Sequence, residues 1–478
     1  MTQIREIGIP VQLDETRTAA VCTNAAGESR LVIAAKGFVL TLHVGNGDVK
    51  QVYFPNGDED YPYACLASRS GLLYTGAGKQ FMVFDPFQEQ FIDVHVPIPS
   101  EEIVGYRFAE APDGWIYFTT YPSCYLLRYS PYLKQVETCV RLDETEKYTN
   151  SMACDAFGWV YVGIGTERHN VVAFHPATGR HHSFVPESDR KRGSGHVYPS
   201  IQGAVYGFWD MDEHNEAKWH EFKQGHALPT AANLLPPSEY NGSGFHTLHR
   251  NLPDPLCIER FDLSEREVIV RDESTEEVRR IELHYASRGA RLSTLTMGPD
   301  GCIYGTSNHP LHLYRYDPEK GQMISFGGKA IEKGGGGNIY AYAIQGSLLL
   351  GAAYAGGYLH IIDTAKPLTF EKTSIRNPRL VAEHEEIHRP RCALAHSDGN
   401  HVIYGGFPGY GMVGGGLCFY EIDKDRGTIR THKQVVPYQS TLCLAEGRNH
   451  NIWGAPASIH QVEQNRKRRK PCCTRWIL

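Results

Sequence analysis

The feature that most constrains the fold of this chain is a short pattern that recurs along almost its whole length. Each copy has an Asp-Gly-like turn, a strand of aromatic and β-branched residues, a Gly-rich polar stretch, and another strand ending near aromatic-Asp-Pro-x-x-Gly. The clearest copies begin at Pro112, Phe157 and Pro299. Weaker copies begin near Leu31, Ser70, Gly203, Gln345, Gly399 and Asn451. The copies are roughly 40 to 55 residues apart, which is the period of one β-propeller blade.

Alternation within each copy has the period of two that strands require, and a helical period is essentially absent. A single four-stranded sheet cannot bury both of its faces, so repetition around a common axis is the physical reason for such a pattern. The sequence therefore predicts an all-β fold, a β-propeller of about seven or eight four-stranded blades.

We expect residues 1–463 to form one propeller domain. The interval between the copies at Gly203 and Gly301 is about twice the usual period. It holds an extra blade or an inserted hairpin, and we place this irregular region at about residues 223–290. Residues 464–478 are basic, lack the blade pattern and are expected to be a disordered tail.

Composition excludes several classes of partner. The formal net charge of −6 argues against nucleic acid, which needs a basic surface. No apolar run is long enough to span a bilayer, and the N-terminus shows no secretory signal, so we expect no membrane association. The 12 cysteines include no CxxC pair and no zinc spacing. They are expected to be reduced and largely buried, in a cytoplasmic protein whose partner is a small molecule or an oligosaccharide.

Strand order predicts which loops share a face. The tight turns joining strands 1 and 2, and strands 3 and 4, lie at one end of each blade, while the longer loops lie at the other end. The longer loops and the approaches to the innermost strands are rich in Arg, His, Tyr and Asn. We therefore expect a polar site at that end, around the mouth of the axial channel.

Arg, His and Tyr together suit an anionic sugar. Arg can hold a carboxylate through paired hydrogen bonds, which acidifies the neighbouring C5 proton, and His or Tyr can then act as base and acid in a β-elimination. The candidate catalytic residues are His309, Tyr121, His196 and Tyr410. The candidate substrate-binding residues are Arg391, Arg291, Arg107, Asn308 and His388.

The repeats PDGWIYF, FGWVYVG and PDGCIYG resemble those of the gluconolactonase/streptogramin-lyase-like propeller superfamily, and are similar to those of propeller polysaccharide lyases such as oligogalacturonate and ulvan lyases. The resemblance runs from about Leu31 to Ile459 and concerns the blade rather than a catalytic motif. An oligogalacturonate lyase-like site implies a divalent metal in the axial channel, with His309, His196 and His388 as candidates. An ulvan lyase-like site implies Tyr121 or Tyr410 with Arg391.

The leading hypothesis is thus a carbohydrate-active enzyme, a lyase acting on a uronic-acid-containing glycan. A non-catalytic propeller scaffold that binds proteins is the first alternative. A propeller glycoside hydrolase is the second, although it needs paired carboxylates and only Glu167 offers one. Structural roles also remain open for single residues: Arg391 could pair with nearby Glu385 or Glu386, and His169 could brace its loop.

Overall fold

The computed structural model describes residues 5–57, 59–99, 101–200, 203–230, 247–308, 311–331, 337–371, 376–409, 412, 414–422, 428–433, 435–457 and 474–476. Regular structure in these ranges is β-strand, apart from single-turn 3-10 helices. Those short helices are Pro55–Gly57, Glu187–Asp189, Gly328–Ala330, Glu385–Ile387 and Arg448–His450. Across the same ranges, no helix is long and apolar enough to cross a membrane.

The chain divides into two compact units. The first, called here the N-terminal unit, is Glu15–Ala286. The second, called the C-terminal unit, combines Met1–Asp14 with Ser287–Leu478. The single propeller domain expected over residues 1–463 stays a prediction.

The described part of the N-terminal unit contains six successive sheets, each of them antiparallel between consecutive strands. Sheet 1 is β1 (Thr16–Thr23), β2 (Ser29–Ala35), β3 (Phe38–Leu42) and β4 (Val49–Tyr53); sheet 2 is β5 (Cys65–Ala67), β6 (Leu73–Ala77), β7 (Gln80–Asp85) and β8 (Gln90–His95). Sheet 3 is β9 (Ile103–Glu110), β10 (Ile116–Tyr121), β11 (Tyr125–Ser130) and β12 (Gln135–Arg141); sheet 4 is β13 (Thr149–Cys154), β14 (Val160–Ile164), β15 (Asn170–His175) and β16 (Arg180–Ser183). Sheet 5 is β17 (His196–Pro199), β18 (Val205–Phe208), β19 (His220–Lys223) and β20 (His226–Pro229); sheet 6 is β22 (Leu256–Asp262), β23 (Glu267–Asp272) and β24 (Val278–Glu282). The short strand β21 (Thr247–His249) adds to sheet 1 by pairing in parallel with β1.

The C-terminal unit contains four further sheets among its described residues. Sheet 7 is β25 (Leu292–Met297), β26 (Ile303–Ser307), β27 (Leu313–Asp317) and β28 (Gln322–Ser325); sheet 8 is β29 (Asn338–Gln345), β30 (Leu348–Tyr354), β31 (Tyr358–Asp363) and β32 (Arg379–Ala382). Sheet 9 is β33 (Arg389–Ala395), β34 (His401–Phe407), β35 (Leu417–Glu421) and β36 (Thr428–His432); sheet 10 is β37 (Ser440–Glu446), β38 (Ile452–Ala457) and β39 (Thr474–Trp476).

The predicted fold class is confirmed: the described chain is all-β and built from propeller blades. Eight of its sheets contain a complete four-stranded antiparallel meander, and sheets 6 and 10 have three described strands. Each recognised repeat supplies the second strand of a sheet, followed in most sheets by the third. The double-length interval is also explained, because its REVIVRD and EEVRRIELHY segments form β23 and β24 of sheet 6.

The basic segment 464–478, expected to be a disordered tail, lies outside the described residues except for β39. The backbone of β39 pairs antiparallel with β38.

Within each unit, hydrophobic cores lie between neighbouring sheets: from sheet 1 through sheet 5, between sheets 6 and 1, and from sheet 7 through sheet 10. Between sheets 2 and 3, for example, the rings of Phe81 and Phe118 stack with centroids 4.5 Å apart, and both side chains are fully buried. Leu127 and Val83 belong to the same core. This arrangement explains why a blade sequence has to be repeated: one face of each sheet is covered only by the next sheet.

Glycine in the second strand allows two blades to approach closely. A Cβ atom on Gly76 of β6 would lie 2.2 Å from the carbonyl oxygen of Val104, in the first strand of the next sheet. A Cβ on Gly163 of β14 would lie 2.2 Å from the carbonyl oxygen of Gly195, just before β17. In both places backbone contacts backbone, so no side-chain movement can make room.

We predict that Gly163→Ala destabilises the protein by about 1–3 kcal/mol, the usual cost of overpacking, because the new methyl group meets a carbonyl group. Gly328→Ala is the matched control. There the added Cβ would have its nearest neighbour at 3.4 Å, an ordinary contact, and the change should stay within about 0.5 kcal/mol. Denaturant unfolding of both variants measures the difference. Equal stabilities would contradict the close packing of sheets 4 and 5.

Candidate functional site

A β-bulge near the start of the first strand recurs in both units. The register between first and second strand shifts at Arg17 in β1, at Asn150 in β13, at Tyr340 in β29 and at Arg391 in β33. In β9 the shift is larger and spans residues 105–107. At a bulge, the alternation of side chains between the two faces of the sheet is interrupted, so the bulged residue's side chain points in a different direction. These bulges therefore direct Arg and Tyr side chains at the strand end that carries the longer loops.

In the N-terminal unit, side chains from sheets 1 to 5 and their loops form a group that is called here the tyrosine–arginine rim. Its members are Arg17, Tyr61, Tyr63, Tyr106, Arg107, Tyr121, Tyr148 and His196. Two of them, Tyr121 and Arg107, are predicted site residues that both contact Tyr106, and a third, His196, is close enough to Arg107 for the arginine charge to lower its pKa.

Tyr106 is the centre of the rim. Its ring lies 4.8 Å from that of Tyr63, 5.6 Å from that of Tyr121 and 6.1 Å from that of Tyr148. Tyr121 and Tyr148 are themselves 4.9 Å apart. Burial raises the pKa of Tyr106 to about 12, so its hydroxyl stays protonated at neutral pH. Tyr106 is buried, but Tyr121 and Tyr148 are only half-buried. The half-buried rings offer a surface on which a ligand can stack.

Arg17 closes one side of the rim. Its guanidinium lies 4.5 Å from the ring centroid of Tyr61 and 4.6 Å from that of Tyr63, within cation–π range. The carboxylate of Glu15 accepts a hydrogen bond from Arg17 Nε at 2.7 Å. The charge of Arg17 is thus compensated by an acidic neighbour.

Arg107 has a different environment. Its Nε donates to the backbone carbonyl of Asn150 at 2.6 Å, and Nη1 donates to the carbonyl of Tyr106. Its guanidinium lies 4.7 Å from the Tyr106 ring centroid. Both acceptors are backbone carbonyls, and the bonds to them fix the position of the guanidinium.

His196 is half-buried at the start of β17, with its ring 5.0 Å from that of Phe208. Burial lowers the pKa of His196, and the positive charge of Arg107 lowers it further. The imidazole is therefore neutral at neutral pH, the state in which it can accept a proton.

Buried carboxylates hold the loops of the rim in place. Glu102, 5% exposed, accepts hydrogen bonds from the hydroxyl of Thr120 at 2.8 Å and from that of Ser123 at 2.5 Å, on either side of Tyr121. Glu146, also 5% exposed, accepts from the backbone N–H of Thr166 at 3.0 Å in the corresponding loop of sheet 4. Each carboxylate precedes a first strand and fastens the loop of its own sheet, which preorganises the rim.

The C-terminal unit carries a second cationic–aromatic group. The guanidinium of Arg391 lies 4.2 Å from the ring centroid of Tyr340 and 5.2 Å from that of Phe407. Burial and the neighbouring charge of Arg389 lower the pKa of Arg391. The ring of His388, another predicted ligand residue, stacks edge-on against Tyr354 at 5.4 Å.

The acidic partner considered for Arg391 is not found at the described positions. Glu386 pairs with Lys433, and no ion pair joins Arg391 to a carboxylate within the described ranges. Within the described part of the chain, the rings of Tyr340 and Phe407 flank this guanidinium. The sequence could not show whether an acid or aromatic rings lie beside Arg391, because the rings come from neighbouring strands.

The remaining predicted residues have mixed outcomes. Arg291 is exposed, and its carbonyl accepts the backbone N–H of Asn308 at 2.7 Å. Asn308 is half-buried. His309 and Tyr410 lie outside the described residues. His169 has the bracing role considered for it, since its buried Nδ1 lies 2.7 Å from the carbonyl of Lys191.

Sequence analysis missed Arg17, Tyr61 and Tyr63. The N-terminal repeat was recognised only from Leu31, in its second strand, so the first strand that carries Arg17 was not placed. Extending the blade register backwards from Leu31 by one strand would have placed Arg17 at the start of a first strand. Tyr61 and Tyr63 lie just before the short strand β5, where no repeat pattern marks them.

No family model matches the chain, and no curated protein matches it.

Solved structures do match. They include a catalytically inactive virginiamycin B lyase from Staphylococcus aureus with quinupristin, at 9% identity and TM-score 0.34, over 72% of this chain and 92% of that chain. A streptogramin B lyase matches at 11% identity and TM-score 0.33, over 72% and 92%. The Dos1 propeller matches at 11% identity and TM-score 0.34, over 88% and 95%. These are likenesses of fold at most, and the comparison gives no specific similarity to a polysaccharide lyase.

We predict that Arg107→Gln raises the pKa of His196, because removing a nearby positive charge favours the imidazolium. The pKa should still lie below the ordinary histidine value, since burial is unchanged. NMR titration of the histidine ring signals measures it. His220 is the control: burial is the main cause that lowers its pKa, and no arginine contributes. An unchanged His196 pKa would show that the two side chains do not face each other.

Proposed function

We propose that the tyrosine–arginine rim binds an acidic carbohydrate and that the protein is a lyase that cleaves uronate-containing glycans by β-elimination. The observation that carries the proposal is the position of Arg107 and Tyr121, both of sheet 3, against Tyr106, together with His196 of sheet 5, whose pKa is lowered by burial and by the charge of Arg107. A cation, aromatic faces and a neutral imidazole are the groups that such a reaction requires.

Arg107 supports the first requirement, recognition of a carboxylate. Its position is fixed by backbone carbonyls, and half-burial strengthens the attraction between its charge and an anion. A guanidinium also matches the planar geometry of a carboxylate. Holding the uronate carboxylate at this point withdraws electron density from C5 and makes its proton more acidic.

The half-buried rings of Tyr121 and Tyr148 support the second requirement, a platform for sugar rings. Because Glu102 fastens the loop on either side of Tyr121, this platform is rigid before a ligand binds. A rigid platform lowers the conformational entropy lost on binding.

The chemical step follows from the same groups. Neutral His196 takes the C5 proton, the C5–H electron pair forms the C4–C5 double bond, and the C4–O bond breaks. The leaving oxygen takes a proton from the hydroxyl of Tyr121. The products are an unsaturated uronate and a new chain end, and the reaction consumes no water and no oxidant.

We predict that Arg107→Gln weakens binding of an oligouronate by about tenfold to a hundredfold, the value of a charge-assisted hydrogen bond. Isothermal titration with an oligouronate and with its carboxyl-reduced analogue measures the effect. The wild type should discriminate between the two ligands, and the variant should not.

Arg128→Gln is the matched control for the binding experiment. Arg128 also lies over an aromatic ring, that of Trp115 at 4.3 Å, but it belongs to the third strand of sheet 3. Its substitution should leave affinity unchanged. If both variants bind like the wild type, the rim is not the carboxylate site.

We predict that Tyr121→Phe retains binding but lowers turnover by about 10²-fold or more, because it keeps the ring and removes the proton donor. Growth of the ultraviolet absorbance of the unsaturated uronate measures turnover. Tyr132→Phe, at a tight turn where the residue is 93% exposed, is the control. If the wild type produces no such chromophore from any oligouronate that it binds, the rim binds acidic sugars without cleaving them.

A further inference from the structure

A second group of polar side chains lies at the other end of the first strands of the C-terminal unit. It combines the turn after β33, which contains His396 and Asp398, with Glu446 at the end of β37 and His450 in the short 3-10 helix that follows. His396 lies five positions after Arg391 along an extended strand, roughly 16 Å away at the usual rise per residue. This group is therefore separate from the cationic–aromatic group around Arg391.

Three ligand-type atoms converge in it. His396 Nε2 lies 3.7 Å from Glu446 Oε1, and His450 Nδ1 lies 3.1 Å from the same oxygen. All three atoms lie within 4.8 Å of one another. Ligands of a tetrahedral zinc ion, with bonds of roughly 2.0–2.1 Å, are roughly 3.3–3.5 Å apart. The distances of 3.7 Å and 3.1 Å from Glu446 Oε1 to the two histidine nitrogens are thus close to the edge length of such a tetrahedron.

We propose that His396, Glu446 and His450 form a site for a divalent transition metal, with Zn²⁺ as the best-matched ion. Two imidazoles and one carboxylate are a ligand set that zinc accepts. The proposal does not depend on the function proposed for the tyrosine–arginine rim.

The arrangement behind His396 supports this assignment. The ring is 4% exposed, and its Nδ1 lies 3.0 Å from the carboxylate of Asp398. A carboxylate at one imidazole nitrogen directs the other nitrogen at the metal, and this is the usual arrangement of metal-bound histidine. Asp398 is itself held by His401, whose Nδ1 lies 2.6 Å from the same carboxylate.

The metal would replace existing hydrogen bonds. His396 Nε2 lies 2.9 Å from the carbonyl of His450, and the hydroxyl of Ser397 lies 2.6 Å from His450 Nδ1 and contacts Glu446. Both contacts occupy the positions that the metal would use. Because His450 is on the surface, with its side chain 73% exposed, the fourth coordination position faces solvent and can hold water.

Calorimetric titration of the full-length protein with Zn²⁺ tests the site, supported by the visible absorption spectrum of the Co²⁺ form. We expect one tight site per chain and a tetrahedral Co²⁺ spectrum. His450→Ala and Glu446→Gln should each weaken Zn²⁺ binding by at least about tenfold and abolish the spectrum. Asp398→Asn should weaken binding by about tenfold to a hundredfold, the usual effect of losing an orienting partner.

Two variants separate a metal site from a hydrogen-bonded turn. Ser397→Ala removes a hydroxyl that occupies the position of the metal between His450 and Glu446, and it removes no ligand, so Zn²⁺ binding should not weaken. His214→Ala removes an exposed histidine that lies 3.6 Å from the carboxylate of Glu213, and it should leave the affinity for Zn²⁺ unchanged. The proposal is overturned if His450→Ala and Glu446→Gln bind Zn²⁺ as tightly as the wild type. It is also overturned if the wild-type protein binds Zn²⁺ no more tightly than isolated exposed histidines do.

Discussion

The candidate site depends on one backbone feature, the β-bulge near the start of the first strand of a blade. In a regular strand, alternate side chains enter the cores between sheets, and a large cation there would need a buried partner. The bulge interrupts this alternation at Arg17, at Tyr106 and Arg107, and at Arg391. The three arginine side chains lie over aromatic rings at the strand ends instead.

The rest of the N-terminal unit keeps these side chains in position. Glycines such as Gly76 allow the backbone of one sheet to contact the first strand of the next. Aromatic cores such as the Phe81–Phe118 stack fill the space between sheets. Glu102 and Glu146 fasten the loops at the rim. A ligand therefore meets groups whose geometry is set by the blade packing rather than by the ligand.

Sequence analysis predicted the fold well, because a repeat with a period of one blade and strict alternation leaves few other architectures. It also predicted a polar site at the strand ends that carry the longer loops, where Tyr121 and Arg107 both contact Tyr106; that this site carries chemistry stays a prediction. It could not predict the bulges, since one extra residue in a strand leaves no pattern in a single sequence. For the same reason it expected an acidic partner for Arg391, where the structure has Tyr340 and Phe407. The His396–Glu446–His450 group was also missed, because its members lie in two segments about 50 residues apart, at the ends of β33 and β37, and meet only when sheets 9 and 10 pack together.

The most direct test of the account is a crystal structure of the protein with a bound saturated oligouronate. The account predicts a sugar carboxylate within hydrogen-bonding distance of the Arg107 guanidinium, and a sugar ring against Tyr121 or Tyr148. A ligand that binds at the tight-turn end of the strands, or that leaves the rim empty at saturating concentration, would contradict it.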